Sequence, residues 1–126
     1  MRLLILPLIL GLCAPDETVS GYAEPDAVYG LETLGGEAVG YEAHIAFPEK
    51  GRVQGAGPCN IFSASQSVPY PWIEIGPIAA TKRACPDLAG EAAFFAALEA
   101  AELVEVAGDV LILTDGAGAE AVFRRR

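Results

Sequence analysis

One histidine, three cysteines and seventeen carboxylates bound the chemistry open to this 126-residue chain. His44 is the sole imidazole, so any Ser-His-Asp or Cys-His mechanism would have to run through it. In residues 41–47, Tyr41, Ala43, Ile45 and Phe47 alternate with Glu42, His44 and Ala46. A period of two puts His44 on the polar face of a strand, and no spacing sets a nucleophile beside it. Ser63 and Ser65 alternate along residues 61–66 and read as the solvent face of another strand. Seventeen acids guarantee some neighbouring carboxylates, so their number alone does not make an acid/base pair. The expectation is a non-enzymatic domain with no catalytic residues and no cofactor.

The cysteines point to a compartment. Residues 1–12, MRLLILPLILGL, are one arginine followed by an apolar run too short to span a bilayer as a helix, and they read as a signal peptide. Cys13 follows at once. The junction resembles a bacterial lipoprotein signal, in which that cysteine becomes the lipidated first residue. Leu10 and Gly11 fit such a signal, whereas Leu12 departs from the small residue usual there. Ala14 after the cysteine favours outer-membrane sorting by the same resemblance. Export into an oxidising space leaves Cys59 and Cys85 to pair with each other or to stay as two buried thiols. A bridge would close a loop of 25 intervening residues, worth roughly 3–4 kcal/mol in the chain-entropy model. A metal site is disfavoured, because there is no CxxC and His44 is not spaced as a ligand partner.

From Cys13 onward the chain has seven basic and seventeen acidic residues, a net charge of −10. Phosphate backbones repel such a domain, so nucleic acid is disfavoured as a partner. The basic run Arg124-Arg125-Arg126 reads as a solvated tail. Residues 13–26 are acidic and punctuated by proline, and read as an extended tether carrying the lipidated cysteine.

Residues 27–126 supply the elements that must position these groups. Residues 27–34 alternate loosely, with Tyr29 and Leu31 on one face, and Gly35-Gly36 marks a turn. Gly55-Ala56-Gly57-Pro58 lacks both GxGxxG and GK[ST], so it reads as a bulge or a close backbone approach at a sheet bend, not a phosphate loop. Residues 70–75 read as a strand entered through prolines, with Trp72, the sole tryptophan, as an anchor or a ligand-stacking platform. A helix is expected over about 88–101, with Asp87 as N-cap, Phe95 and Leu98 buried, and Glu91 and Glu99 wet. Residues 103–106, 110–113 and 120–124 form a strand meander, in which Val110-Leu111-Ile112-Leu113 is apolar enough for a central strand.

An ordered set of motifs now stands out. Gly51-Arg52-Val53 and Gly55 come first, then Cys59-Asn60, Ala80-Thr81 and Arg83-Ala84-Cys85-Pro86. Glu91, Leu98, Gly108-Asp109 and Leu111 follow. The set resembles the META domain of the HslJ-like heat-shock family over about residues 27–124. Pro58 stands where the family commonly has glycine, and Tyr29 where it often has tryptophan. The resemblance implies an α+β fold: a single small domain with an antiparallel, partly open β-barrel and one packed helix. It implies a cell-envelope setting, often as a lipoprotein, with links to stress or drug tolerance, and it carries over no catalytic residue.

Two functions compete on this reading. One is an interaction or assembly module on the membrane, held by a lipid anchor, facing the periplasm and meeting an envelope protein. The other is a carrier of a small apolar or amphipathic ligand in the barrel mouth, lined by Phe62, Tyr70 and Trp72. Asn60 and Thr81 are expected to make local turn hydrogen bonds rather than to do chemistry.

Overall fold

The computed structural model describes residues 15–126; the signal-peptide reading and Cys13 lie outside the described residues. In chain order the strands are β1 (Tyr29–Leu34), β2 (Glu37–Ala38), β3 (His44–Ala46), β4 (Arg52–Ala56), β5 (Ile61–Ser67), β6 (Glu74–Ile75) and β7 (Ala79–Ala80). Helix α1 (Leu88–Ala100) follows, then β8 (Ala101–Ala107), β9 (Val110–Asp115) and β10 (Glu120–Arg125). Eight strands run side by side in the order β6-β5-β4-β3-β1-β10-β9-β8, while β2 pairs with β1 and β7 with β5. Every pairing is antiparallel. The sheet curls into a nearly closed barrel whose end strands, β6 and β8, face each other across an unsealed seam. This is the α+β half-open barrel that the motifs implied.

The alternation read from the sequence becomes the barrel wall. Ile45, Phe47 and Val53 point inward and are fully buried, as are Leu111, Leu113 and Phe123 from the C-terminal meander. Each such side chain contributes roughly 1.5–3 kcal/mol by leaving water. β9 is flanked on both sides by laddered strands, as its apolar run suggested. A Cβ on Gly55 would run into the His44 carbonyl oxygen of the neighbouring strand, so the expected close backbone approach is present.

Helix α1 fills the barrel interior along a different stripe from the expected one. Glu91, Phe94 and Leu98 face inward, Phe95 is half-buried, and Glu99 is exposed. Alanines cover most of the helix and define no face by hydrophobicity, so the stripe is set by what receives it. Phe94 lies edge-on to Phe62 at 5.9 Å between ring centres and tilted against Phe123 at 6.3 Å. Asp87 stands at the N-cap but makes no side-chain capping bond; its backbone carbonyl accepts from the Glu91 N–H at 3.0 Å.

Both ends of the described chain are tied down, against the expectation of a free tether and a free tail. Thr18, Val19, Ser20 and Ala23 are buried, and residues Val19–Gly21 form a short 3-10 turn. The reason is a polar anchor that composition hides. Gln66 points inward from β5, and its Nε2 donates to Thr18 Oγ1 at 3.0 Å and Ser20 Oγ at 3.3 Å. Asp16 in turn accepts from the Thr18 backbone N–H at 2.9 Å and from the hydroxyls of Thr18 and Ser20. Burial pushes the Asp16 pKa up, but the bonds from Ser20 and Thr18, with the nearby Lys50 charge, bring it below its usual value. At the other end the arginines belong to or follow β10. Arg124 pairs with Glu32 at 2.8 Å, Arg125 with Glu24 at 3.7 Å and Arg126 with Glu42 at 2.5 Å.

Candidate functional site

The sequence offers three places where chemistry or binding could sit: the cysteine stretch, the histidine face and the Tyr70–Trp72 region. The structure separates them.

Around the cysteines, Cys59, Cys85, Asn60, Thr81 and Glu91 are engaged with one another within the fold. Cys59 and Cys85 form a disulfide, with Cα atoms 5.5 Å apart. Beneath it lies the carboxylate of Glu91, 3% exposed. Its Oε1 accepts from the backbone N–H groups of Cys59 at 3.1 Å and Asn60 at 2.7 Å, and its Oε2 from Asn60 Nδ2 at 2.6 Å. The sequence reading left Glu91 in solvent. Three directed donors, not a salt bridge, hold this buried carboxyl group. Asn60 links outward: its Oδ1 accepts from Thr81 Oγ1 at 2.9 Å and from the Arg83 N–H at 2.6 Å, and its Nδ2 donates to the Arg83 carbonyl at 3.0 Å. The local turn bonding expected of Asn60 and Thr81 is therefore what they do. A Cβ on Gly57 would sit 2.6 Å from Glu91 Oε1, which is why the bend before the cysteine needs a glycine there. A group with all its hydrogen-bonding capacity spent internally has little left for a substrate, so this region is a clasp between the β4–β5 bend and α1.

His44 lies on the outer wall, facing a broad groove of about 570 Å³ that also meets Gln54, Ile61, Ser63, Ala79 and Thr81. Burial lowers its pKa first, the Arg126 charge lowers it further, and Glu42 partly opposes both. Among the described residues it makes no side-chain hydrogen bond to a serine or a carboxylate, so the geometry assembles no triad. No group of three or more His, Cys, Asp or Glu among the described residues is placed to hold a metal.

The third region lies on the seam. Of the expected ligand surface, Phe62 is 4% exposed and packs edge-on to Phe95 at 5.2 Å, so it belongs to the core and does not join the other two. Its inward position follows from its register opposite Gly55, on the face where Val53 points inward. Tyr70 and Trp72 do share the seam, although the strand expected over 70–75 is reduced to β6. Tyr70 is half-buried, and its ring stacks on Tyr22 from the docked N-terminal segment at 4.0 Å and 14°. Its hydroxyl accepts from the Val106 N–H at 3.0 Å, a place a strand carbonyl would otherwise take. Trp72 is 57% exposed and forms a single bridge with Leu103 of β8, which is 38% exposed. Two backbone bonds flank that bridge: the Ile73 N–H donates to the Glu102 carbonyl at 3.0 Å, and the Val104 N–H to the Pro71 carbonyl at 2.8 Å.

Beside Trp72 runs a groove of about 420 Å³ lined by Val68, Ile73, Glu74 and Glu102. Val68 has φ of +70°, a left-handed backbone that a β-branched residue adopts only where its surroundings force it. The sequence flagged Trp72 through its singularity. Leu103, Val68 and Tyr22 gave no such signal, because only the closing of the barrel and the docking of the N-terminal segment bring them alongside.

The META-domain family model matches residues 24–126, and the chain belongs to that family. No curated protein sequence matches it. Among solved structures it is similar to an NMR structure of a protein from Burkholderia xenovorans, with TM-score 0.62 and 17% identity over 80% of this chain and 82% of that one. A second NMR structure matches with TM-score 0.61 and 20% identity over 81% of this chain and 94% of the other. A crystal structure of a DUF4847-family protein from Bacteroides vulgatus matches with TM-score 0.54 and 16% identity, over 65% of this chain and 57% of that one. At these identities the likeness speaks for the fold.

Proposed function

We propose that this META-domain chain is a non-enzymatic envelope module, held to the membrane through a lipidated Cys13, that recognises an envelope protein with its barrel seam. The observation that carries the reading is the Trp72–Leu103 pair: two large apolar side chains left in solvent at the one unladdered join of the barrel. Apolar surface of this kind, next to polar neighbours, marks interaction sites, and tryptophan is enriched where interfaces are strongest. The clasp and the histidine face supply no competing assembly of reactive groups.

The test places a photo-crosslinking residue at the seam, Leu103→p-benzoylphenylalanine, in the intact envelope. A discrete adduct that disappears with Trp72→Ala is expected. Adducts equal to those from a control position on the histidine face, such as Gln54, would contradict the reading. Fatty-acid labelling lost in Cys13→Ser is the matching test for the anchor.

A second reading, binding of a small amphipathic molecule, rests on the groove beside Trp72. Because Phe47, Phe94, Phe123 and Leu98 fill the barrel interior, such a ligand would lie along the seam and not inside the barrel. A shift of Trp72 fluorescence with a lipid-like ligand in the absence of protein partners would favour it.

A further inference from the structure

Resting on the seam as the recognition surface, we infer that its occupant is a basic, partly apolar extended segment of a partner protein, seated with a lysine or arginine over the Trp72 ring. The groove beside that ring is lined by the apolar Val68 and Ile73 and by two acids, Glu74 and Glu102. Both acids are exposed, as is Glu105 further along β8. An indole face beside carboxylates attracts a cation twice, through the ring quadrupole and through charge. An anionic or purely aliphatic partner would leave both acids facing it unpaired.

Two hollows, one on either side of the Trp72–Leu103 bridge, suit an extended chain better than a compact ligand. β8 is an end strand whose outer edge is already bonded at Glu102, Val104 and Val106, so an occupant would lie over the outer face of the seam and not add a strand. Tyr70, Pro71, Leu103 and Glu105, with Thr114 of β9, surround a second hollow of about 280 Å³. Trp72 lines the first hollow and Leu103 the second, so an occupant reaching both would pass over the bridge between them. Val68, held in its left-handed backbone, shapes the far wall of the first hollow.

The same acids argue against the competing macromolecular surface, the bilayer itself. Glu17, whose carbonyl accepts from the Tyr70 N–H at 2.7 Å, is also exposed, so anionic lipid headgroups would be repelled at this face.

Trp72 is the sole tryptophan, so its fluorescence reports on this site and no other. The experiment titrates the folded domain with a short peptide alternating lysine and leucine, its glutamate-for-lysine counterpart, and phosphatidylcholine vesicles. The lysine peptide is expected to shift Trp72 emission with a salt-dependent affinity. Glu74→Gln with Glu102→Gln is expected to weaken it about fivefold to tenfold, from two exposed ion pairs. Glu32→Gln with Glu37→Gln, on β1 and β2 away from the two end strands, controls for net charge and is expected to leave it within about twofold. Equal weakening by both double variants, equal binding of the two peptides, or a shift with vesicles alone would overturn the inference. The crosslink at Leu103 separates this from the broader reading. A discrete adduct formed through an acidic or neutral partner segment would keep the seam as the recognition surface and remove only the basic partner.

Discussion

The clasp ties together the two ends of the stretch from Cys59 to Glu91, the seam takes Tyr70–Trp72 from its middle, and the two treat polar and apolar groups in opposite ways. At the clasp, groups that usually do chemistry are buried and satisfied: a carboxylate, an amide, a hydroxyl and two cysteines bond to one another. At the seam, groups that usually make a core reach water: Trp72 and Leu103 form the barrel's thinnest join, the first more than half exposed and the second more than a third. Residue type alone therefore misplaces function in this fold. A glutamate three-fold bonded under a disulfide is architecture, and a tryptophan with room around it is the candidate for recognition.

If the clasp is architecture, breaking it should cost stability and spare the seam. The largest effect is expected from Cys59→Ala with Cys85→Ala, a loss of about 3–4 kcal/mol in urea unfolding. Glu91→Ala leaves buried donors of Cys59 and Asn60 without an acceptor, and a loss of about 3 kcal/mol is expected. Glu91→Gln keeps an acceptor oxygen and is expected to cost about half as much. A Glu91→Ala domain as stable as the parent would erase the distinction between the two regions.

Tyr70→Phe sharpens the comparison at the seam. Only the Val106 N–H loses its partner, so about 1 kcal/mol is expected, while the Trp72 emission maximum stays in place. Trp72→Ala removes an exposed side chain and is expected to change stability by less than about 0.5 kcal/mol.

The smallest effect concerns pH. His44 has a folded pKa below 6.5, so the unfolded chain binds its proton more readily. Its contribution is whole above 6.5 and lost as the pH falls through the folded pKa. His44→Gln should flatten a shallow decline below pH 6.5 and leave stability at pH 8 unchanged. Asp16 acts in the same direction further down, its contribution present above 3.8 and lost as the pH falls below its lowered folded value.

Much of the barrel was legible because strand faces are written with period two, as in Ile45–Phe47 and Leu111–Leu113, and because the turns carry glycine. The helix was legible in extent but not in rotation. Alanine at most positions leaves no apolar stripe to read, and the inward face includes a glutamate whose partners lie thirty residues upstream. The docked N-terminal segment was hidden for a related reason. Its anchor is a buried glutamine on β5 reaching Thr18 and Ser20 across more than forty residues, and an acidic, proline-bearing stretch otherwise looks like a tether. Of the candidate site, Trp72 and Tyr70 were found through their rarity and their prolines. Phe62 looks from the sequence like part of the same surface, because the register that turns it inward depends on Gly55 of the neighbouring strand. Leu103 became visible only when β8 met the chain before β6.

The central claim is that the seam recognises and the clasp holds, and one measurement tests it most directly: the yield of the Leu103 crosslink in the intact envelope with Trp72→Ala, set against that variant's urea midpoint. The expected result is an adduct lost at an unchanged midpoint. An adduct retained in full, or lost only in step with a lowered midpoint, would contradict the claim.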